Sequence, residues 1–223
     1  MIGTGTEIGK THASVALVQA LALAGRSVVG LKPIESGVSP SRPEATDAFA
    51  LAAASSFHVK HPAPYTLEQA VSPHLAARNS GVTIDLDRVK DWVEAHDDAE
   101  LTIIETAGAL LSPLSSTQSN LDLTRALKPH HILLVAPDRL GVLHDIKATL
   151  HALRTLAPEL PTPTVLLQPT STPDTSTGTN AAELQALRIT TAHTFPRSHE
   201  TTTAASALAV AMGLVSPDKG SRP

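Results

Sequence analysis

Short apolar runs bounded by turn residues alternate along the chain with longer stretches in which Ala, Leu and Val recur at helical spacing. The short runs are Ser27–Leu31, Leu101–Glu105, Ile132–Ala136 and Thr164–Gln168, with a weaker candidate at Leu187–Thr191, and they predict strands. The longer stretches predict helices over Lys10–Ala24, Asp47–Ala54, Asp85–Ala95, Leu121–Leu127, Val142–Leu156, Ala181–Leu187 and Ala204–Met212. In the first helix Val15, Val18, Leu21 and Leu23 supply much of the apolar surface, and Gly25 is its stop. Asp85 reads as an N-cap. Strands buried on both faces are continuous apolar runs rather than alternating ones, and Ile132-Leu133-Leu134-Val135 fits that rule. Strands alternating with helices in this way predict an α/β fold with a doubly wound, mainly parallel sheet and helices on both faces.

Pro, Thr and Ser crowd Pro158 to Asn180, and Pro169–Asn180 is expected to be an exposed loop. No internal repeat or linker divides the chain. Residues 1–215 are read as one domain, followed by a frayed tail over 216–223.

Composition narrows the class. The 223 residues suffice for one α/β domain with its own core, burying ~70% of the unfolded chain's surface. With 2% aromatics, that core must be aliphatic. A net charge of −4 and the lack of any basic block argue against nucleic acid as a partner. Cysteine is absent, which excludes disulfides and thiolate metal sites, and the eleven histidines are scattered. The longest apolar run, Ala13 to Ala24, is interrupted by Ser14 and Gln19 and is too short to span a bilayer. With no signal peptide before the first glycines, the expectation is a cytoplasmic, metabolite-handling protein without membrane contact.

The strongest chemical signal is the opening Gly3-Thr4-Gly5-Thr6-Glu7-Ile8-Gly9-Lys10-Thr11-His12. A Gly-rich turn feeding a helix presents successive N–H groups and the positive end of the helix dipole to an anion. Lys10 adds a charge for the outer phosphates, and the Thr11 hydroxyl suits Mg²⁺. The usual spacing puts the first glycine at position 4, where Thr4 stands between Gly3 and Gly5, so this is a variant P-loop. Such a loop hangs off the end of a strand, yet only Met1 and Ile2 precede Gly3. A strand upstream of Met1 is the favoured expectation, with a fold lacking the central strand as the alternative. In the second case neighbouring strands would keep unmet backbone groups in the core, at ~1–3 kcal/mol each.

Three further stretches fall where strands should end: Lys32-Pro33-Ile34-Glu35-Ser36-Gly37, Thr46-Asp47 and Glu105-Thr106-Ala107-Gly108. Ligands of open α/β sheets bind beyond the carboxyl ends of the strands, so Lys32, Asp47 and Glu105 are expected to converge on phosphates held by the loop. Taken singly, Lys32 reads as well as a surface lysine before a turn, and Asp47 as a helix cap. Glu105 ends an apolar strand and needs a cation or several hydrogen bonds to offset its desolvation. Mg²⁺ held by Thr11, Asp47 and Glu105 would be such a partner.

These motifs, in content, order and spacing, resemble dethiobiotin synthetase of the P-loop NTPase superfamily. Thr66 to His74, Arg139-Leu140-Gly141 and the Ser112-Pro113-Leu114-Ser115 stretch extend the resemblance, which weakens after Gln168. It implies an ATP-dependent ligase of biotin biosynthesis, with ATP as co-substrate and Mg²⁺ as cofactor. The substrate is 7,8-diaminopelargonate, which takes up CO₂ as a carbamate; phosphorylation and ring closure then yield dethiobiotin, ADP and phosphate. It implies a homodimer whose substrate pocket draws on the partner. The residues it marks for nucleotide and metal are Thr6 to His12, Asp47, Glu105 to Gly108, Gln168, Pro169 and Pro196-Arg197-Ser198. Lys10 and Lys32 are the catalytic candidates, with Lys32 bridging carbamate and phosphate. Ser36 and Gly141-Val142-Leu143 face the substrate.

The chain departs from the family at four places. His144-Asp145 replaces Asn-His, and an inward Asp145 would repel a carboxylate. Thr106 and Ala109 replace glycines, with strain if either needs positive φ. Gln168-Pro169 replaces the adenine-reading Asn-Asp, which predicts relaxed base selectivity. A partition-type positioning ATPase is the alternative from another class, although its second P-loop lysine is lacking. A degenerate, non-catalytic relative is the third reading.

Overall fold

The computed structural model describes residues 1–198 and 200–216. In chain order the elements are β1 (Ile2–Gly3), α1 (Lys10–Leu23), β2 (Val28–Leu31), β3 (Ile34–Ser36), α2 (Asp47–Ala54), β4 (Tyr65–Leu67), α3 (Pro73–Asn79) and α4 (Leu86–Glu94). Then follow β5 (Leu101–Ile104), α5 (Asn120–Leu127), β6 (Leu133–Asp138), α6 (Val142–Leu156), β7 (Thr164–Pro169), α7 (Asn180–Ala186), β8 (Ala192–Thr194) and α8 (Thr201–Ala211). Every strand pairing is parallel. One run has the order β1-β6-β7-β8 and another pairs β2 with β5. Met1 joins them: its amine donates to Ile104 O at 2.7 Å, and Thr106 N donates to Met1 O at 3.1 Å. The central sheet therefore reads β2-β5-β1-β6-β7-β8, and β3 and β4 pair beside it.

Two-residue alternation along β6 separates the two main cores. Leu133 and Val135 pack with Ala13, Leu17 and Leu21 of α1 and with Ala205 and Leu208 of α8. Leu134 and Ala136 turn to the opposite face, against Val142, Ile146, Leu150 and Leu153 of α6 and Leu184 of α7. Each such leucine contributes ~1.5–3 kcal/mol by leaving water. The small Ala13, Ala16 and Ala20 of α1 are buried, which lets the helix lie close to the sheet without aromatic filler.

Local chemistry sets the helix limits. Asp85 accepts from Asp87 N at 2.9 Å and caps α4, as its sequence position predicts. A capping box of Ser119 and Asp122 starts α5. Gly25, at φ +80°, follows the end of α1, which stops one residue short of the expected Ala24.

The first strand is present in truncated form, as expected: its two residues, Ile2 and Gly3, pair with Leu134 and Val135. Several expectations need correction. The strand expected at Leu187–Thr191 lies instead at Ala192–Thr194: Leu187 caps α7 and Arg188 is left-handed, at φ +54°. The β3–β4 pair and α3 escaped the hydropathy pattern because three-residue strands and a seven-residue helix are shorter than the window over which a period can be read. Of the expected tail, Ser216 is exposed, and Pro217–Pro223 lies outside the described residues.

Candidate functional site

The loop Thr4–Gly9 leaves the sheet at β1 and ends at α1. Its base is fixed on both sides: Thr4 N donates to Val135 O, and Leu110 N to Gly3 O, each at 3.1 Å. Gly9 is left-handed, at φ +97°. A Cβ there would stand 2.8 Å from the Gln168 side-chain oxygen, so the position needs both the freedom and the size of glycine. Glu7 also adopts positive φ, at 56°. The loop thus leads into the N-terminus of α1, the kind of turn in which backbone N–H groups hold phosphate.

Five side chains meet beneath it. Lys10 is buried and folds back to donate to Gly5 O at 2.8 Å. Thr11 Oγ1 donates to Glu105 Oε1 at 2.9 Å. Lys32 Nζ donates to the same oxygen and to Asp47 Oδ2, each at 2.6 Å. Four different elements or their edges supply the group: α1, the turn after β2, the first residue of α2 and the residue after β5. Glu105 is fully enclosed, and its second oxygen, Oε2, has no partner among the described residues.

The charges tune one another. Burial, and then the charge of Lys32, pull the Lys10 ammonium down to about 8. Burial also opposes charge on Lys32, but Glu105 and Asp47 outweigh it and hold that lysine above its ordinary value. Glu105 therefore has the cation that its sequence position demands, and the cation is Lys32. The donor set also fits Mg²⁺: Thr11 Oγ1, Asp47 Oδ2 and the unpartnered Glu105 Oε2 are hard oxygen donors.

Residues not singled out from the sequence hold these in place. Glu35 accepts from Asp47 N at 2.7 Å and Ala48 N at 3.1 Å, clamping the start of α2. Burial raises its carboxyl above the usual range. Its place inside Lys32–Gly37 was the available signal. Asn120 is wholly buried and donates to Ala107 O and to Ala109 O, the latter at 2.8 Å. Ser112 Oγ accepts from Ala109 N at 2.9 Å. The segment after β5 is thereby pinned at both ends of Gly108, which is left-handed at φ +78°. Thr106 and Ala109 do not have positive φ, so their side chains do not strain the segment.

On the far side of the loop, Arg197 Nε donates to Gln168 Oε1 at 3.0 Å. His12 Nε2 lies 3.2 Å from Pro196 O. Gln168 and Pro169 end β7, and Pro196 to Ser198 follow β8; Gln168 and Arg197 both stand against the Cβ position of Gly9. Ser36 ends β3, half-buried. Gly141, Val142 and Leu143 open α6, where Leu140 N donates to Asp174 Oδ2 at 2.8 Å. Among the described residues no hydrogen bond links Gly141–Leu143 to the lysine cluster.

A family model described as an AAA domain matches residues 1–198. The sequence is 38% identical over 159 residues to an ATP-dependent dethiobiotin synthetase of Nitrosospira multiformis, covering 68% of this chain and 67% of that protein. It is 39% identical over 159 residues to the protein of the same name from a Caulobacter species, covering 68% of each. A solved ParA family ATPase from Chlorobium tepidum superposes with a TM-score of 0.54, over 96% of this chain and 91% of that one. At 13% identity this is a likeness of fold alone.

Proposed function

The chain belongs to the ATP-dependent dethiobiotin synthetases, and we propose that it closes the ureido ring of dethiobiotin at the cluster of Lys10, Thr11, Lys32, Asp47 and Glu105. The observation that carries this reading is the meeting of two lysines and two carboxylates under the Gly-rich loop. The amides of residues 5 to 11 hold the phosphates of ATP, and Lys10 exchanges Gly5 O for a phosphate oxygen. Thr11, Asp47 and Glu105 are the residues that would hold Mg²⁺, which when bound neutralises phosphate charge.

The substrate is 7,8-diaminopelargonate. One amine adds to CO₂ and loses a proton to become a carbamate. A carbamate oxygen then attacks the γ-phosphorus, and the bond from that phosphorus to the ADP oxygen breaks. The second amine attacks the carbamoyl carbon, phosphate leaves with the C–O bonding pair, and loss of a proton completes the ring. Carbamate and γ-phosphate are both anionic, so their approach needs fixed positive charge in the transition state. Lys32 supplies it between them, and Ser36 hydrogen-bonds the substrate. In a homodimer, the partner's copy of the Gly141–Leu143 segment would receive the substrate carboxylate at a helix N-terminus.

Incubation of the purified protein with diaminopelargonate, bicarbonate and Mg-ATP tests the reading. The expected result is dethiobiotin by mass spectrometry with stoichiometric phosphate. Absence of product together with no substrate-dependent phosphate release overturns it.

A further inference from the structure

Gln168 and Arg197 form a pair that has donors left over and no free acceptor. Gln168 is wholly enclosed near the end of β7, and its Oε1 accepts from Arg197 Nε at 3.0 Å. A guanidinium can only donate, so that bond fixes which way the amide faces. Gln168 Nε2 has no partner among the described residues. Arg197 is exposed, and Nε is its one side-chain donor with a partner among the described residues. Both terminal nitrogens are therefore available to a ligand. The neighbouring carbonyls are already engaged. Pro196 O accepts from the Thr201 hydroxyl at 2.9 Å and lies 3.2 Å from His12 Nε2, while Ser198 O accepts from Thr201 N at 3.0 Å.

We propose that Arg197, held by Gln168, selects a 6-oxopurine base, so that the protein binds GTP or inosine triphosphate (ITP) more tightly than ATP. The place of the base rests on the reaction proposed above, which sets the γ-phosphate beside Lys32. Lys32 and Glu105 follow β2 and β5 on one side of β1, whereas Gln168 and Arg197 belong to β7 and the turn after β8 on the other. A nucleotide with its γ-phosphate at Lys32 thus carries its base toward β7 and β8. A Cβ on Gly9 would meet both Gln168 Oε1 and Arg197 Nη2, so the pair stands directly against the loop. Guanine and hypoxanthine present two acceptors, N7 and O6, along one edge, which a guanidinium fork matches with two N–H groups. Adenine presents N7 and a 6-amino donor, and that amine would meet N–H groups alone. A free glutamine amide pairs with adenine through its oxygen and nitrogen together, but the oxygen of Gln168 is committed to Arg197. A polar group left unmatched in a closed contact discriminates more strongly than a missing apolar one. Gln168 is accordingly a positioning residue, and Arg197 reads the base.

Isothermal titration of the full chain with GTP, ITP and ATP, each with Mg²⁺, tests the proposal. GTP and ITP should bind at least about tenfold more tightly than ATP, within the range of one bidentate base contact. ITP lacks the 2-amino group, so its agreement with GTP assigns the preference to O6 and N7; tight GTP with weak ITP overturns that assignment. Arg197→Lys keeps the charge but loses the fork, and should bring the GTP-to-ATP ratio within about threefold while ATP affinity stays within several-fold of the parent. Gln168→Met keeps the fork but not its orientation, and should narrow the ratio too. ATP bound as tightly as GTP, or an unchanged ratio in Arg197→Lys, overturns the proposal; an unchanged ratio in Gln168→Met removes the positioning role. Dethiobiotin formation is followed with each nucleotide in parallel. Ring closure with a lower KM for ATP overturns the base selection and leaves the reaction standing. A GTP preference in binding without ring closure by any nucleotide overturns the reaction and leaves the base selection standing.

Discussion

Lys32 Nζ stands 2.6 Å from Glu105 Oε1, and the two side chains are 6% and 0% exposed. An ion pair so enclosed contributes little beyond its own desolvation, but losing one partner leaves a buried charge unmet, typically at ~3–5 kcal/mol. Lys32→Ala should therefore lower Tm and reduce kcat at least about a hundredfold, with ATP affinity within several-fold of the parent. Isothermal titration with ATP, thermal melts and steady-state rates separate the three. Near-normal turnover would remove Lys32 from the chemistry. Lys32→Arg should not rescue it, since a planar fork cannot replace a point charge between two carboxylates.

The Lys10 side chain makes its only described hydrogen bond to a carbonyl of its own loop, so Lys10→Ala should weaken ATP binding far more than it unfolds the protein. A tenfold or greater rise in Kd with a Tm change of a few degrees is expected. A large Tm loss with unchanged Kd would reverse the assignment.

Gly9 combines φ +97° with a Cβ position 2.8 Å from Gln168. Gly9→Ala should abolish measurable ATP binding while far-UV circular dichroism stays that of the parent. Retained binding would show that the loop tolerates a different shape.

Asn120→Ala would leave Ala107 O and Ala109 O without the amide that bridges them. The cost is ~1–3 kcal/mol per unmet group, and each kcal/mol lowers Tm by ~2–4 °C at this size. A raised KM for ATP should accompany it, because the same segment borders the lysine cluster. The melt and the KM are measured on one preparation.

Asp174 ties the loop after β7 to the start of α6. Its carboxyl is drawn down from 3.8 to about 2, first by the Ser176 hydroxyl and then by the amides of Leu140 and Ser176. The folded value lies below the unfolded one, so the contribution is complete above pH 3.8 and is lost as pH falls through about 2. The Leu140 amide resonance should move across that window, and Asp174→Ala should abolish the movement.

Much of this was legible in the sequence because α2 and α6 are long apolar periods with clear starts, and they form at the limits their patterns predict. The convergence of Lys32 and Glu105 followed from their places at strand ends, and that of Asp47 from its place at the start of α2. What the pattern hid was contact across the chain. Nothing local to Lys32 says that it pairs with residues 15 and 73 positions away. Asn120 reads as one polar residue in an apolar helix until its bonds to two carbonyls are seen. The two-residue β1 is invisible to any periodicity, and its pairing comes from β5 and β6 rather than from its own propensity.

Lys10, Lys32, Asp47 and Glu105 carry two positive and two negative charges within one small volume, so the cluster has almost no monopole. The chain as a whole bears −4. At distances beyond ~8–10 Å, screening in physiological salt removes what field remains. A polyanionic nucleotide is thus not drawn in from solution and finds its attraction only on contact, when the lysines change partners. Capture should proceed at the rate of an unsteered encounter, and added salt should leave that rate nearly unchanged or raise it slightly.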